Sequence, residues 1–408
     1  MLKFISSPQT IIFVFAVYLS FFMHDGINVL LPVMAIFSGI NILRTKVRIE
    51  ELFCWAMILF LLLSAVGNVL TKWSSVIYTL IFLIIFINYL RGILGKKLSA
   101  IKYLEILRIL VILFFITLLI QQVCVLAGLP VFNMILDYSE RNMWKLSSLA
   151  DEPSHTARIL ALIMFSYIQV YKYVYNRKYD VLKLLKNDRK ERWLWIGFLW
   201  TILTIQSSTA ILFVAILAFV LSGQKKATAI GIIVVMVLGF YLFRENELMK
   251  RNIEVTAATF TLNEQQICAA DNSAAHRIVP IIIISKHLSL FDLEGFLGHG
   301  AGAAKEIVLG LFPGYTTETI IDGGAILQIW YDSGILLFAS YLFLTLKYCT
   351  DKRNKMSYLF WVLLIVINSI NTQITWLSIM LLFANKHFSK IQKISYENFP
   401  HNTWESKS

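Results

Sequence analysis

Long apolar stretches, separated by short polar turns, follow one another along most of the chain. A stretch of about 15 to 23 residues is near the length with which a helix crosses roughly 30 Å of hydrocarbon. The pattern therefore predicts an all-α fold in which residues 1–408 form one polytopic integral membrane helix bundle. We place about twelve transmembrane helices, at residues 9–23, 27–43, 52–70, 74–90, 104–123, 157–175, 193–206, 209–222, 227–243, 323–346, 357–370 and 374–386.

The pair 193–206 and 209–222 permits two interpretations. Each half is short, and the halves meet at the polar run from Gln206 to Thr209. Two separate spans are one interpretation, and one long bent helix is the other. The choice matters because a single helix would reverse the orientation of every later segment.

Composition supports a membrane protein, with 58% hydrophobic and 15% charged residues and a mean hydropathy of +0.69. These values lie outside the range of soluble globular proteins. The net charge of +12 comes from short basic clusters between apolar stretches, a pattern of membrane topology and not of nucleic-acid binding. The four cysteines lie far apart, so they indicate neither a disulfide framework nor a metal site.

The basic residues predict an orientation. If the N-terminus is cytoplasmic, most of the 37 Lys and Arg residues fall on the cytoplasmic side, as the positive-inside rule requires. Two larger loops, residues 124–157 and 244–322, then lie outside and hold most of the acidic residues. We therefore expect the chemistry on the outer face. The other outer turns, such as 71–75 and 371–373, are too short to build a site by themselves.

The first outer loop ends in Glu152-Pro153-Ser154 and continues into an apolar helix. Proline at the first helical position, with acidic residues before it, is typical of a helix N-terminus. Arg158 follows one turn later, where an unpaired guanidinium costs about 2.5 to 3.5 kcal/mol inside a membrane. Arg158 either binds an anion or a lipid phosphate, or extends to the membrane interface.

The second outer loop carries His276-Arg277, followed by a short apolar run, residues 278–284. This run is too short to span a membrane and predicts an amphipathic or interfacial helix. Arg277 would lie at headgroup depth, where it either grips phosphate oxygens or is an ordinary interfacial arginine. The later glycine run, Gly298 to Gly302, would let the backbone approach a ligand closely, but it lacks the strand and helix of a nucleotide-binding fold.

Asp332 lies inside the predicted span 323–346 and shares a helix face with Gln328, four residues earlier. An acid inside a membrane span is a functional candidate by default, and a hydrogen bond to a neighbouring helix is the alternative. No set of His, Asp and Glu residues has the tight spacing of a metal centre.

The order and spacing of these motifs resemble the membrane polymerases of bacterial O-antigen and related surface polysaccharides, the Wzy-type enzymes, which form a superfamily with the O-antigen ligases. The resemblance covers about residues 140–346 and rests on the arrangement as a whole. The motifs that carry it are Glu152-Pro153-Ser154, the polar run 204–209, Arg277, the glycine run 298–302 and Asp332-x-Gly334.

This resemblance implies a metal-independent, cofactor-free glycosyltransferase in the bacterial inner membrane. Such an enzyme joins undecaprenyl-pyrophosphate-linked oligosaccharide units on the periplasmic face, with membrane lipid and a chain-length regulator protein as partners. The catalytic residues implied here are Arg277, which binds the donor pyrophosphate, and Glu152 or Asp322 as the base. The substrate-binding residues implied are Arg158, Arg141, His276, Gly300 and Asp332.

Two departures favour a polymerase over a ligase. Ligases often have an arginine where this chain has Ser208, and a His-Asn pair where it has Asp322-Gly323. A polysaccharide flippase is the non-enzymatic alternative. It would be expected to show internal repeats and charges in the middle of several spans, and we find no such repeat and almost no midplane charge in the first nine predicted spans.

Overall fold

The computed structural model describes residues 6–21, 30–69, 71–132, 144–150, 152–205, 207–222, 231, 247–290, 292–314 and 324–397. Within these ranges the regular structure is helical and no strand occurs, so the all-α prediction is confirmed. The helices are α1 (Pro8–Phe21), α2 (Leu30–Leu43), α3 (Leu52–Gly67), α4 (Trp73–Leu94), α5 (Ala100–Leu126), α6 (Pro153–Tyr175), α7 (Val181–Asn187), α8 (Arg189–Thr204), α9 (Ser208–Leu221), α10 (Glu247–Thr261), α11 (Glu264–Ala270), α12 (Asn272–Lys286), α13 (Leu293–Leu297), α14 (Ala303–Leu311), α15 (Ala325–Cys349), α16 (Lys355–Trp361) and α17 (Gln373–Glu397).

In the described part of the chain, 4 helices are long and apolar enough to cross a membrane: α3 with its preceding turn, α4, α5 and α15. Shorter apolar helices occupy Pro8–Tyr18, Leu30–Leu43, Thr209–Leu221 and Lys355–Val366. The prediction of about twelve spans is therefore confirmed only in its coarser form, a helical chain with several segments of membrane-spanning character.

Two long helices, α6 and α17, fall outside that group, and both carry buried polar residues. Ser166 and Gln169 of α6 are buried, as are Thr375, Ser378 and Asn385 of α17. The two helices pack against each other, and their neighbours are other helices of the bundle. A helix surrounded by protein can carry polar groups that hydrogen-bond to its neighbours, whereas a helix surrounded by lipid cannot.

The helices run up and down between two ends. The loop end is where α3 finishes and α4 begins, residues 67–73, and the basic end is where α4 finishes and α5 begins, residues 94–100. Helix α1 starts at the basic end, since the Gln9 amide donates to the Lys97 carbonyl over 3.5 Å. Helix α15 starts at the loop end, where its first half packs on α3 and α13.

The ambiguous pair forms two helices: α8 ends at Thr204 and α9 begins at Ser208. Thr204, at the end of α8, accepts a hydrogen bond of 3.0 Å from Gln122 near the loop end of α5. Helix α9 then begins beside Arg158, in the first turns of α6, and packs along α6. The two halves therefore run in opposite directions, which agrees with two helices and not with one long bent helix.

Charge is distributed unequally between the two ends. The loop end carries few basic side chains, among them Lys72, Arg158, Arg277 and Lys286, whereas the basic end holds most of those in the described residues. Two ion pairs lie near the basic end: Arg91 with Glu51 at 2.5 Å, in which both side chains are buried, and Arg108 with Glu191 at 3.4 Å, in which only Glu191 is buried. A buried charge requires such a partner, so these arginines are explained by their ion pairs. The excess of positive charge at the basic end comes from the remaining basic residues of the described ranges, which are not paired in this way.

Candidate functional site at the loop end

A second small core covers the loop end. Helices α10, α11, α12 and α14 pack their apolar residues together, including Ile267, Ala275, Val279, Val308 and Phe312. The run predicted to be an interfacial helix, 278–284, is part of α12, whose apolar face packs into this core. The opposite face of α12 exposes Arg277 and Ile281. We call this group of helices the cap.

The cap joins the bundle through the glycine run. The Gly300 amide donates to the Asp332 carbonyl over 2.9 Å, and the Lys72 amide donates to the Ala301 carbonyl over 2.8 Å. Gly298 and Gly334 have φ values of 80° and 81°, which favour glycine strongly. A Cβ on Gly334 would lie 2.0 Å from the Phe296 carbonyl oxygen. The glycines therefore allow two backbones to touch, and Gly300 is buried between α15 and the residues Asn68 and Thr71.

Asp332 is the centre of this junction. Its Oδ1 accepts from the Ala304 amide over 2.7 Å, and its Oδ2 accepts from the Gln328 amide over 3.2 Å. A carboxylate at the first turn of a helix satisfies free amides and complements the helix dipole, so Asp332 of α15 caps α14. Because both carboxylate oxygens are occupied and the residue is buried, Asp332 positions the cap. The resemblance implies substrate binding by Asp332, and the sequence leaves a hydrogen bond to a neighbouring helix as the alternative.

A polar chain continues from Asp332 towards α6. Gln328 accepts a hydrogen bond of 2.8 Å from Ser369, and the neighbouring Asn368 accepts one of 3.3 Å from the Arg158 guanidinium. Asn368 and Ser369 follow a π-helical segment, Val362–Val366, a distortion that often occurs at functional sites. The sequence pattern does not identify Asn368 and Ser369, because the nearby turn 371–373 is too short to build a site by itself.

Arg158 lies at the polar end of an open apolar groove of about 290 Å³, lined also by Thr209, Leu212, Phe213, Leu363 and Ile367. Leu212 and Ile367 are 44% and 46% exposed, so the groove opens towards the surroundings of the bundle. A single guanidinium beside apolar walls offers charge to an anionic group and dispersion contacts to an attached hydrocarbon chain.

Glu152 and Arg158 share the start of α6. Glu152 is the N-cap residue with extended backbone, and Pro153 follows it at the first helical position, as the sequence predicts. The Glu152 carboxylate accepts a hydrogen bond of 3.1 Å from Ser154. This places an ionisable carboxylate and a guanidinium on the same helix, less than two turns apart.

The two residues at the front of α12 differ in exposure. His276 is buried, with its ring stacked on Phe312 at 5.0 Å, so its ring serves the packing of the cap. Arg277 is exposed and lies one turn before Pro280, whose carbonyl is close to Gly324 at the start of α15. The predicted ligand Arg141 and the predicted base Asp322 lie outside the described residues.

The described residues contain no cluster of His, Cys, Asp and Glu that could hold a metal ion. The chain matches no known family profile, no curated protein and no solved structure. The class of protein therefore follows from the fold: a helical protein with apolar helices of membrane-spanning length and a helical cap at one end.

Proposed function

We propose that this protein is a polysaccharide polymerase that joins undecaprenyl-pyrophosphate-linked oligosaccharide units on the periplasmic face of the bacterial inner membrane. The observation that carries the proposal is the position of Arg158, at the polar end of a groove that is otherwise apolar and open. A polyprenyl pyrophosphate has the matching chemistry, because a charged head is attached to a long hydrocarbon chain.

The distribution of charge supports this orientation. The basic end carries most of the described Lys and Arg residues, and the first described helix begins there. By the positive-inside rule the basic end is cytoplasmic, which gives a cytoplasmic N-terminus. The cap, the groove of Arg158 and the exposed Arg277 then belong to the periplasmic side.

The chemistry requires little beyond charge and position. In the proposed reaction an acceptor sugar hydroxyl attacks the anomeric carbon of the donor glycan, the bond from that carbon to the pyrophosphate oxygen breaks, and a base takes the hydroxyl proton. Arg158 and Arg277 would hold the charge that develops on the departing pyrophosphate. Glu152 is the candidate base in the described residues, since it lies on the same helix as Arg158, and Asp322 is the alternative.

The decisive experiment measures surface polysaccharide in cells that lack the native gene and carry Arg158→Ala or Arg277→Ala. We expect the ladder of long chains to collapse to single-unit products in both. Lys286→Ala is the matched control, because Lys286 is a cation on the same helix as Arg277 but pairs with Glu264 at 2.6 Å. An unchanged ladder in both arginine variants would overturn the polymerase proposal. Normal polymer that fails to reach the lipid A core would instead identify a ligase.

A further inference from the structure

A basic cavity lies at the end of the bundle opposite to the proposed active site. Its volume is about 450 Å³, and it lies between the turn after α2 and the turn after α4. The lining residues are Thr45, Lys46, Arg48, Arg91, Gly95 and Lys97. Four of these six residues are basic and none is acidic. The cavity is separate from the groove of Arg158 and depends on different residues.

Only one of the four cations is neutralised. Arg91 is buried, pairs with Glu51 at 2.5 Å and also donates to the Ile42 carbonyl over 2.7 Å. The other three, Lys46, Arg48 and Lys97, have no hydrogen-bond or ion-pair partner for their side chains among the residues that the structure describes. The Arg48 guanidinium lies close to Gly95: a Cβ atom added to this glycine would be 3.8 Å from it. Three uncompensated positive charges therefore face one cavity.

Exposed apolar side chains surround the same turn. Val47 and Ile49 are 70% and 86% exposed, and they alternate with Lys46 and Arg48 along the chain. Leu43 and Leu52, on either side of this segment, are 88% and 64% exposed. In water this group of exposed apolar side chains would be unfavourable. At a membrane surface the same side chains can contact acyl chains while the cations reach the headgroups. The cavity is thus complementary to a molecule with an anionic head and a hydrocarbon tail.

We propose that this cavity binds the phosphate headgroup of an anionic phospholipid from the leaflet at the basic end, with the acyl chains over Val47 and Ile49. Basic pockets between membrane helices commonly take such headgroups. The cations also lie near the ends of α2 and α4, where they complement helix dipoles. A test must therefore separate lipid binding from a contribution to stability alone.

The test uses native mass spectrometry of the full-length protein in mild detergent, titrated with phosphatidylglycerol and, separately, with phosphatidylcholine. We expect the wild type to retain phosphatidylglycerol preferentially. The triple variant Lys46→Ala/Lys97→Ala/Arg48→Ala should weaken that binding by roughly tenfold or more, because each cation near an anionic surface adds to the affinity. The matched control is Lys183→Ala/Lys186→Ala/Lys190→Ala, which removes the same charge from exposed residues of α7 and α8 and should leave binding unchanged.

Three outcomes would overturn the proposal. Equal weakening by both triple variants would mean that surface charge alone attracts the lipid. Displacement of phosphatidylglycerol by millimolar inorganic phosphate, together with no effect of Val47→Ser/Ile49→Ser, would identify a site for free phosphate. A lower unfolding temperature of the cavity variant, with phosphatidylglycerol retained as in the wild type, would show that the cations only stabilise the helix ends. Because this cavity shares no residue with the groove of Arg158, none of these results bears on the polymerase proposal.

Discussion

The carboxylate of Asp332 accepts a hydrogen bond of 2.7 Å from the backbone amide of Ala304, so that a residue of α15 caps the first turn of α14. The two residues are 28 positions apart in the chain, and the bond fastens the cap to a helix of membrane-spanning length. The order of the cap, and with it the position of Arg277, should therefore depend on this carboxylate.

Replacing Asp332 tests that dependence. Asp332→Leu would leave the Ala304 amide and the Gln328 side-chain amide buried without acceptors, at a cost of about 1–3 kcal/mol each. Asp332→Asn should cost less, because its side-chain oxygen can still accept from Ala304. Hydrogen exchange of residues 303–311 and the thermal unfolding of the purified protein measure both effects.

Glu306→Ala is the control for the Asp332 variants. Glu306 lies on the same helix, but its ion pair with Lys72 is long, 3.7 Å, and its side chain is 48% exposed, so the loss should be small. Equal exchange rates for residues 303–311 in Asp332→Leu and Glu306→Ala would contradict the capping role.

Gly334 should not tolerate even the smallest side chain. Its φ of 81° is unfavourable for other residues, and an added Cβ would lie 2.0 Å from the Phe296 carbonyl oxygen. We expect Gly334→Ala to cost about 3 kcal/mol or more, seen as a lower yield of monodisperse protein and a lower unfolding temperature.

The matched control is Gly310→Ala in α14, where nothing lies within 4 Å of the added Cβ. That variant should be neutral or stabilising by up to about 1 kcal/mol. Similar behaviour of the two variants would contradict the close contact.

Local pattern predicted much of the fold. Within the described residues the apolar stretches correspond to helices, Pro153 begins α6 as the capping pattern indicates, and the pair 193–206 and 209–222 forms α8 and α9. The predicted span 227–243 lies outside the described residues, except for residue 231. Helix α17 extends well beyond the predicted segment 374–386, to Glu397. Its later residues are more polar, so hydrophobicity alone could not define its end. Hydrophobicity alone also does not determine the number of spans, because it cannot distinguish a helix in lipid from one enclosed by protein.

The candidate site was harder to predict because its parts come from distant segments. Arg158 was identified by the free-energy cost of an unpaired guanidinium inside an apolar helix, but its partner Asn368 lies 210 residues later. Nothing local to Asn368 indicates that contact. The glycine run was expected to approach a ligand, yet the backbone it touches is that of α15, Thr71 and Lys72. A glycine-rich segment indicates close approach without identifying the group that approaches.

The ion pair of Lys286 with Glu264 should make the cap sensitive to acid. The hydrogen bond from Lys286, at 2.6 Å, lowers the pKa of Glu264 below its usual value. Because the folded-state pKa is the lower one, the stabilisation is present above the unfolded-state pKa of about 4.3 and is lost as pH falls through the folded value. For a pair this accessible the stabilisation is about 1 kcal/mol or less.

Lys286→Met tests this pair, with hydrogen exchange of α11 and α12 compared between pH 3 and pH 7. The wild type should be better protected than the variant at neutral pH, and the difference should vanish at the acid limit. Lys305→Met is the control, because Lys305 lies on α14 and its substitution should leave the pH dependence of α11 unchanged. A difference that persists undiminished at pH 3 would contradict the assignment to Glu264.

Asn368→Asp separates a functional role of Arg158 from a structural one. The guanidinium already donates to Asn368 over 3.3 Å, so an aspartate there would retain the contact and turn it into an ion pair. If Arg158 holds the pyrophosphate of the substrate, a carboxylate so close cancels much of its charge, since unit charges about 4 Å apart interact by roughly 4 kcal/mol near a protein surface. We then expect surface polymer to fall by about tenfold or more, while the unfolding temperature is maintained or raised.

Asn368→Gln is the control, because it keeps the side chain neutral and should retain most of the polymer. If Arg158 only holds α6 against the turn at Asn368, the stronger pair would raise stability and leave polymer length and amount as in the wild type, and the proposed phosphate-binding role of Arg158 would be wrong.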